Sequence, residues 1–231
     1  MDHDRLRKNL EEVRERIDAA ARRAGRPTDA VTLVAVTKRS PAEWIPALAE
    51  LGARDLGENY PQELWSKAVS SSGLAVRWHL IGHLQGNKAK KTLPFVSMIH
   101  AVDSLKLLRS LDELSREVED PPAVCLQVNT SGETAKHGWE TGAILADAER
   151  IAGLERIRVV GLMTMAALGT TAETARPSFA WLRATRDELR SRTGLPLAHL
   201  SMGMSNDFEA AIAEGATLVR IGSAIFEGLE P

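Results

Sequence analysis

The chain has 231 residues, 44% of them apolar, enough to bury a full core and within the range where α/β barrels run as one domain. With 29 Lys and Arg against 31 Asp and Glu, its formal charge of −2 lends no support to a nucleic acid or another polyanionic partner. A single Cys125 in an apolar run excludes an internal disulfide framework, and with a charged start (Met1-Asp2-His3-Asp4-Arg5) where a signal peptide is apolar and no apolar run near the ~18 residues of a membrane span, a soluble cytoplasmic protein is expected.

The first ~24 residues predict an amphipathic helix whose stripe is Leu6, Leu10, Val13, Ile17, Ala20 and Ala21. Apolar runs of strand length then follow at Val31–Thr37, Arg54–Gly57, Val76–Gly82, Met98–Val102, Ala123–Asn129, Val159–Met165, His199–Met204 and Leu218–Phe226. Between them, helical patterns occupy Pro41–Leu51, Pro61–Ser71, Gly86–Thr92, Ser104–Val118, Trp139–Gly153, Thr171–Thr193 and Asn206–Glu214. Continuous apolar strands alternating with helices indicate a parallel sheet covered on both faces. Eight such units most simply close into a single-domain (β/α)8 TIM-type barrel over residues 1–231, with an open doubly wound sheet as the rival. Only five residues follow Phe226, too few for an eighth helix, so the N-terminal helix is expected to cover the barrel in its place.

In such a barrel the chemistry collects where strands end and βα loops begin. Polar residues fall there repeatedly: Thr37-Lys38, Glu58-Asn59, His79 to His83, Asn129 to Glu133, Thr164, Ser201 to Ser205, and Arg220 to Ser223. Small residues at the last two strand ends leave backbone N–H groups open to a phosphate. Lys38 closes strand one; in a dry barrel mouth it loses hydration, and the neutral amine can form a Schiff base with an aldehyde. Arg220, flanked by Val219 and Ile221, needs a partner such as a ring nitrogen or a phosphate. Ser205 or Asn206, the latter with Glu209, reads as a helix cap. His79 and His83 at i, i+4 lie ~13 Å apart in a strand, and no Cys or carboxylate pattern completes a metal site, so no metal is expected. The run Gly86 to Lys91 reads as a solvated helix face.

Several of these residues fall in longer motifs. Val34-Ala35-Val36-Thr37-Lys38, Gly57-Glu58-Asn59-Tyr60, Trp78 to Lys88, Gln127-Val128-Asn129, Ser131-Gly132-Glu133, Gly161 to Met165, Leu200 to Ser205 and Val219-Arg220-Ile221-Gly222 together resemble the pyridoxal phosphate homeostasis proteins, the YggS/PROSC group, similar to the N-terminal barrel of alanine racemase. The resemblance runs from about residue 5 to residue 226. It implies that pyridoxal 5′-phosphate (PLP) is held as a Schiff base on Lys38 and that Arg220 faces the pyridine nitrogen. By the same analogy Ser201, Gly203, Ser205, Gly222 and Ser223 surround the phosphate, with Asn59 near the ring. Pro61, Ala101, Ser104 and Glu227 depart from the family's usual residues, and these positions bear on the rim rather than on Lys38 or Arg220.

The resemblance also implies a role in intracellular PLP (vitamin B6) homeostasis without turnover, with PLP-dependent apoenzymes as partners and a monomer or weak dimer as the assembly. The alternative is a PLP-dependent amino-acid racemase. Two-base racemisation needs a group on each face of the substrate carbon, and the one tyrosine, Tyr60, lies in the strand-two motif. A Schiff-base aldolase shares the lysine and phosphate site but leaves the purified protein colourless.

Overall fold

The computed structural model describes residues 2–130, 137–167 and 169–229. Among these, no helix is long and apolar enough to cross a membrane. Strands β1 (Thr32–Val36), β2 (Asp55–Glu58), β3 (Arg77–Leu80), β4 (Met98–Val102), β5 (Ala123–Asn129), β7 (Arg158–Met163), β8 (His199–Ser201) and β9 (Leu218–Ile221) pair in parallel. The order β4-β3-β2-β1-β9-β8-β7-β5 closes through a β4–β5 pairing, so the eight strands make a barrel, and the rival open sheet is corrected. A two-residue strand β6 (Trp139–Glu140) adds to the end of β5 outside the barrel.

Helices α2 (Trp44–Glu50), α3 (Pro61–Ser70), α4 (Gly86–Thr92), α5 (Leu105–Leu114), α6 (Thr141–Ala146), α7 (Ala148–Ala152), α8 (Ala172–Thr193) and α9 (Phe208–Ala213) surround it. Alternation along each strand divides the core in two. Ala35, Leu56 and Leu80 pack in the main layer against the helices. Val34, Val36, Ile81 and Leu218, and separately Ala101, Cys125 and Met163, form small apolar groups inside the barrel.

Helix α1 (His3–Arg23) packs beside α9 on the outside of the barrel. Asp2 caps it by accepting from the Arg5 N–H at 2.9 Å. Its whole apolar stripe is buried; Leu6, Leu10, Val13 and Ile17 alone contribute roughly 6–12 kcal/mol before the cost of ordering the helix. Arg16 pairs with Glu209 at 2.6 Å and lies over the Phe208 ring, so α1 is fixed to α9. Asn9 Nδ2 donates to the Ile225 and Glu227 carbonyls, which fixes α1 to the segment after β9.

Three expectations need correction. The pattern over Trp139–Gly153 is β6 and two helices rather than one, because the chain turns at Asp147, whose carboxylate accepts from Trp139 Nε1 at 3.1 Å. Strands eight and nine stop at Ser201 and Ile221, short of Met204 and Phe226. Finally, Asn206 and Glu209 do not form a capping box: Glu209 belongs to Arg16, and Asp207 precedes α9, its carboxylate accepting from the Met204 N–H at 2.6 Å.

Candidate functional site

The early strand ends build the rim. Gly203 has φ +96°, and a Cβ there would lie 2.7 Å from Ala211 Cβ and 2.9 Å from Phe208 Cα, so glycine alone permits this turn from β8 towards α9. After β9, the Ile225 and Phe226 N–H groups both return to the Gly222 carbonyl, closing a turn. Gly222 packs flat on β1, where a Cβ would stand 3.0 Å from the Val36 carbonyl oxygen. Ser205 Oγ accepts from the Ala224 N–H at 3.4 Å and ties the two rim turns together. Ser223 is exposed, and Asn59 is half-buried after β2. Lys38, Gly222 and Ser223 line one cleft of about 250 Å³ together with Ser40, Trp44 and Phe226.

Lys38 itself is exposed, so the dehydrated surroundings expected of it are corrected. What holds its backbone lies beneath. Glu58, wholly buried at the end of β2, accepts from Lys67 Nζ of α3 and from Thr37 Oγ1, each at 2.6 Å. Lys67 Nζ also donates to the Thr37 carbonyl at 2.8 Å, so one buried ion pair grips the residue before Lys38. Arg39, the residue after, sits at φ +66°, a left-handed conformation costly for a side chain of this size. Burial pushes the Glu58 carboxyl up, against the hydrogen bonds from Lys67 and Thr37.

Arg220 is buried in the barrel, 4% exposed. It donates from one terminal nitrogen to Ser201 Oγ at 2.6 Å and from the other to the Thr164 carbonyl at 2.9 Å. Burial lowers it to about 10, with Asp207 acting against the shift, so it stays protonated at neutral pH. Its hydrogen-bond contacts among the described residues are neutral oxygens, an unusual state for a buried cation. Ser201, expected beside the phosphate, is wholly buried with its hydroxyl between Arg220 and His100 Nδ1, so the structure gives it a different task.

Sequence reasoning missed what lies behind Ser201. His100 Nε2 is 2.9 Å from His79 Nδ1, and His79 Nε2 is 2.9 Å from Asp55 Oδ1. Arg77 holds Asp55 with two hydrogen bonds at 2.7 and 2.6 Å. The only sequence sign was a histidine in each of two apolar strands. Burial alone would raise Asp55, but the His79 and Arg77 hydrogen bonds win and hold it near 2, against 3.8 for a free side chain. A depressed acid stabilises the fold above its unfolded pKa and loses that contribution as pH falls through the folded value. Asp55 should therefore contribute about 2 kcal/mol at neutral pH that is lost between roughly pH 5 and pH 2. Urea unfolding across that window should show a shallower pH slope for Asp55→Asn than for the unsubstituted chain; equal slopes would remove Asp55 from the acid response.

The paired spacing of His79 and His83 also resolves. The two part company, His79 into the barrel and His83 to the rim, where its Nδ1 lies 2.8 Å from Asp103 Oδ2. His137 Nδ1 reaches the same oxygen at 3.7 Å, so two histidines and a carboxylate do converge, contrary to the expectation that none would. Their rings stack at 4.6 Å and 17°, which puts any single ion out of the plane of at least one ring. The arrangement suits hydrogen bonding to a shared carboxylate. The motif Ser131-Gly132-Glu133 lies outside the described residues.

The profile of the family described as "Alanine racemase, N-terminal domain" matches residues 2–230. A Pseudomonas aeruginosa protein named pyridoxal phosphate homeostasis protein is 42% identical over 221 residues, with 96% of this chain and 94% of that one covered. A Bos taurus protein of the same name is 40% identical, with 94% and 85% covered. Among solved structures, PipY of Synechococcus elongatus with PLP bound is similar at a TM-score of 0.84 and 35% identity, covering 96% of this chain and 99% of that one. A Clostridium difficile alanine racemase has a TM-score of 0.73 at 15% identity, covering 96% of this chain and 56% of that one, a likeness of fold alone.

Proposed function

Because this chain belongs to the alanine racemase N-terminal domain family, and within it to the pyridoxal phosphate homeostasis proteins, we propose that it binds PLP at the barrel mouth and serves intracellular PLP homeostasis without turnover of its own. The observation that carries the reading is the buried, protonated Arg220, bonded to neutral oxygens, in the same barrel end as the amine of Lys38 and two tied rim turns. That donor set fits PLP group by group. An amine meets an aldehyde, backbone N–H groups and hydroxyls of Ser205, Gly222 and Ser223 meet a phosphate, and a guanidinium meets a ring nitrogen, with Asn59 beside the ring.

Bound PLP supplies an aldehyde and an electron-withdrawing ring. Arg220 stays protonated and can only donate, so a ring nitrogen held against it would stay unprotonated and withdraw electrons weakly. Lys38 would hold PLP through its amine in an exposed setting, open to water and to an acceptor protein, which suits loading and release to PLP-dependent apoenzymes. The racemase reading has less support. Likeness to that enzyme is one of fold, and the single Tyr60 is 56% exposed rather than set opposite Lys38 as a buried base.

The test is direct. PLP added to the purified chain should give a visible absorption band, and borohydride should fix a pyridoxyl group on the Lys38 peptide, read by mass. A chain that PLP leaves colourless would overturn the reading, as would the label on another lysine. Robust turnover of any amino acid by the loaded protein would defeat the carrier role while leaving PLP binding intact.

A further inference from the structure

The buried polar groups inside the barrel form one series. From Arg220 it passes to Ser201, His100, His79 and Asp55 through contacts of 2.6, 2.6, 2.9 and 2.9 Å. Every member is buried, and His100 and Ser201 are wholly so. Asp55 opens β2 and Ser201 ends β8, so the series climbs from the N-terminal end of the barrel towards the mouth.

With both histidines neutral, its two ends are matched by a single direction. A guanidinium only donates, and an ionised carboxylate only accepts. Arg220 donates to Ser201 Oγ, and in this assignment the Ser201 O–H donates to His100 Nδ1. His100 must then carry its proton on Nε2 and donate to His79 Nδ1, and His79 must carry its own on Nε2 and donate to Asp55. Each contact has one donor and one acceptor with both histidines neutral, and every donor points away from Arg220. Burial, with the Arg220 charge acting in the same sense, pushes His100 well below the usual histidine value, consistent with that neutral form. Hydrogen bonds aligned head to tail in a low-dielectric interior polarise one another, so the series acts as a unit.

We propose that Ser201, His100, His79 and Asp55 are positioning residues for Arg220: a one-way hydrogen-bond series that fixes the guanidinium from below and leaves its remaining N–H groups directed at the cofactor ring. With the Thr164 carbonyl holding the other terminal nitrogen, the guanidinium has two fixed points and cannot turn. The strength with which it holds PLP is thereby set in part at the opposite end of the barrel, where Arg77 anchors Asp55. The inference rests on the reading of Arg220 as the ring-facing group.

Two measurements separate the two readings. Nitrogen-15 NMR of the histidine side chains, on the chain without PLP, should show both His79 and His100 protonated at Nε2 and bare at Nδ1 at neutral pH. A proton on Nδ1 of either, or a charged His100, would overturn the series whatever PLP does. PLP titration is the second. Ser201→Ala should raise the dissociation constant by about tenfold, move the pH midpoint of the visible band and mix the His100 tautomers, while Ser201→Thr, which keeps the hydroxyl, should restore all three. Asp55→Asn, remote from the mouth, should move the same pH midpoint in a folded protein. Unchanged PLP affinity and midpoint in Ser201→Ala and Asp55→Asn would overturn the positioning role with PLP binding intact. No PLP band in the unsubstituted chain, with the tautomers as stated, would instead sink the reading of Arg220.

Discussion

Lys38→Ala should abolish the visible band of the PLP-loaded protein completely while leaving the fold unaltered. Lys38 is exposed, and substitution of an exposed side chain away from caps and special backbone positions stays within about 0.5 kcal/mol. The band, by contrast, depends on a covalent bond that alanine cannot form. Arg220 and the tied rim turns remain, so PLP should still bind, with a dissociation constant raised at least about tenfold. Absorption spectra and equilibrium dialysis of the two proteins check this. A band that persists in Lys38→Ala would move the covalent site to another amine and leave the cleft at Gly222 and Ser223 without its role.

Lys67→Met should be the most destabilising substitution near the site. It removes the partner of a carboxylate that is 0% exposed and whose second oxygen, Glu58 Oε2, already has no hydrogen-bond partner. Breaking a buried pair by deleting one member costs about 3–5 kcal/mol, because the remaining charge must be neutralised or left uncompensated. At this chain length that lowers the thermal midpoint by roughly 6–20 °C. Removing both charges is far milder, so Glu58→Gln with Lys67→Met should recover most of the loss. Calorimetry on the single and double variants decides it; a double variant no more stable than Lys67→Met would show that the pair matters for packing rather than charge. The same single variant should also weaken PLP loading in the folded protein, since Lys67 holds the carbonyl of Thr37 directly before Lys38.

The barrel was legible because its signals are local. Eight apolar runs, seven of them with polar or small residues at their ends, mark buried parallel strands whose ends face one mouth. The apolar stripe marked α1 as a helix lying on the barrel, and the structure adds the hydrogen bonds from Asn9 and Arg16 that hold it there. The two over-long strands were misread because apolar residues continue beyond the strand ends; Gly203 at φ +96° and the turn at Gly222 end the strands by backbone geometry.

The site divides along the same line. Sequence by itself determined that a lysine closes strand one, that an arginine is buried in strand nine, and that small residues surround both strand ends near it, since each follows from one residue and its immediate neighbours. Only the tertiary structure decided which polar groups meet. Ser201 lies next to Arg220 rather than on the rim, His79 meets His100 and Asp55 rather than His83, His83 meets Asp103, and Lys67 reaches from a helix to Glu58 and Thr37. These partners are brought together by barrel closure across strands that are 21 to 101 residues apart in the case of His100 alone. No spacing along the chain encodes such a contact, because it depends on the register and curvature of the closed sheet. Arg220 shows both halves at once: its burial could be read from Val219 and Ile221, but the hydrogen bonds that fix its direction exist only once the barrel has closed around it.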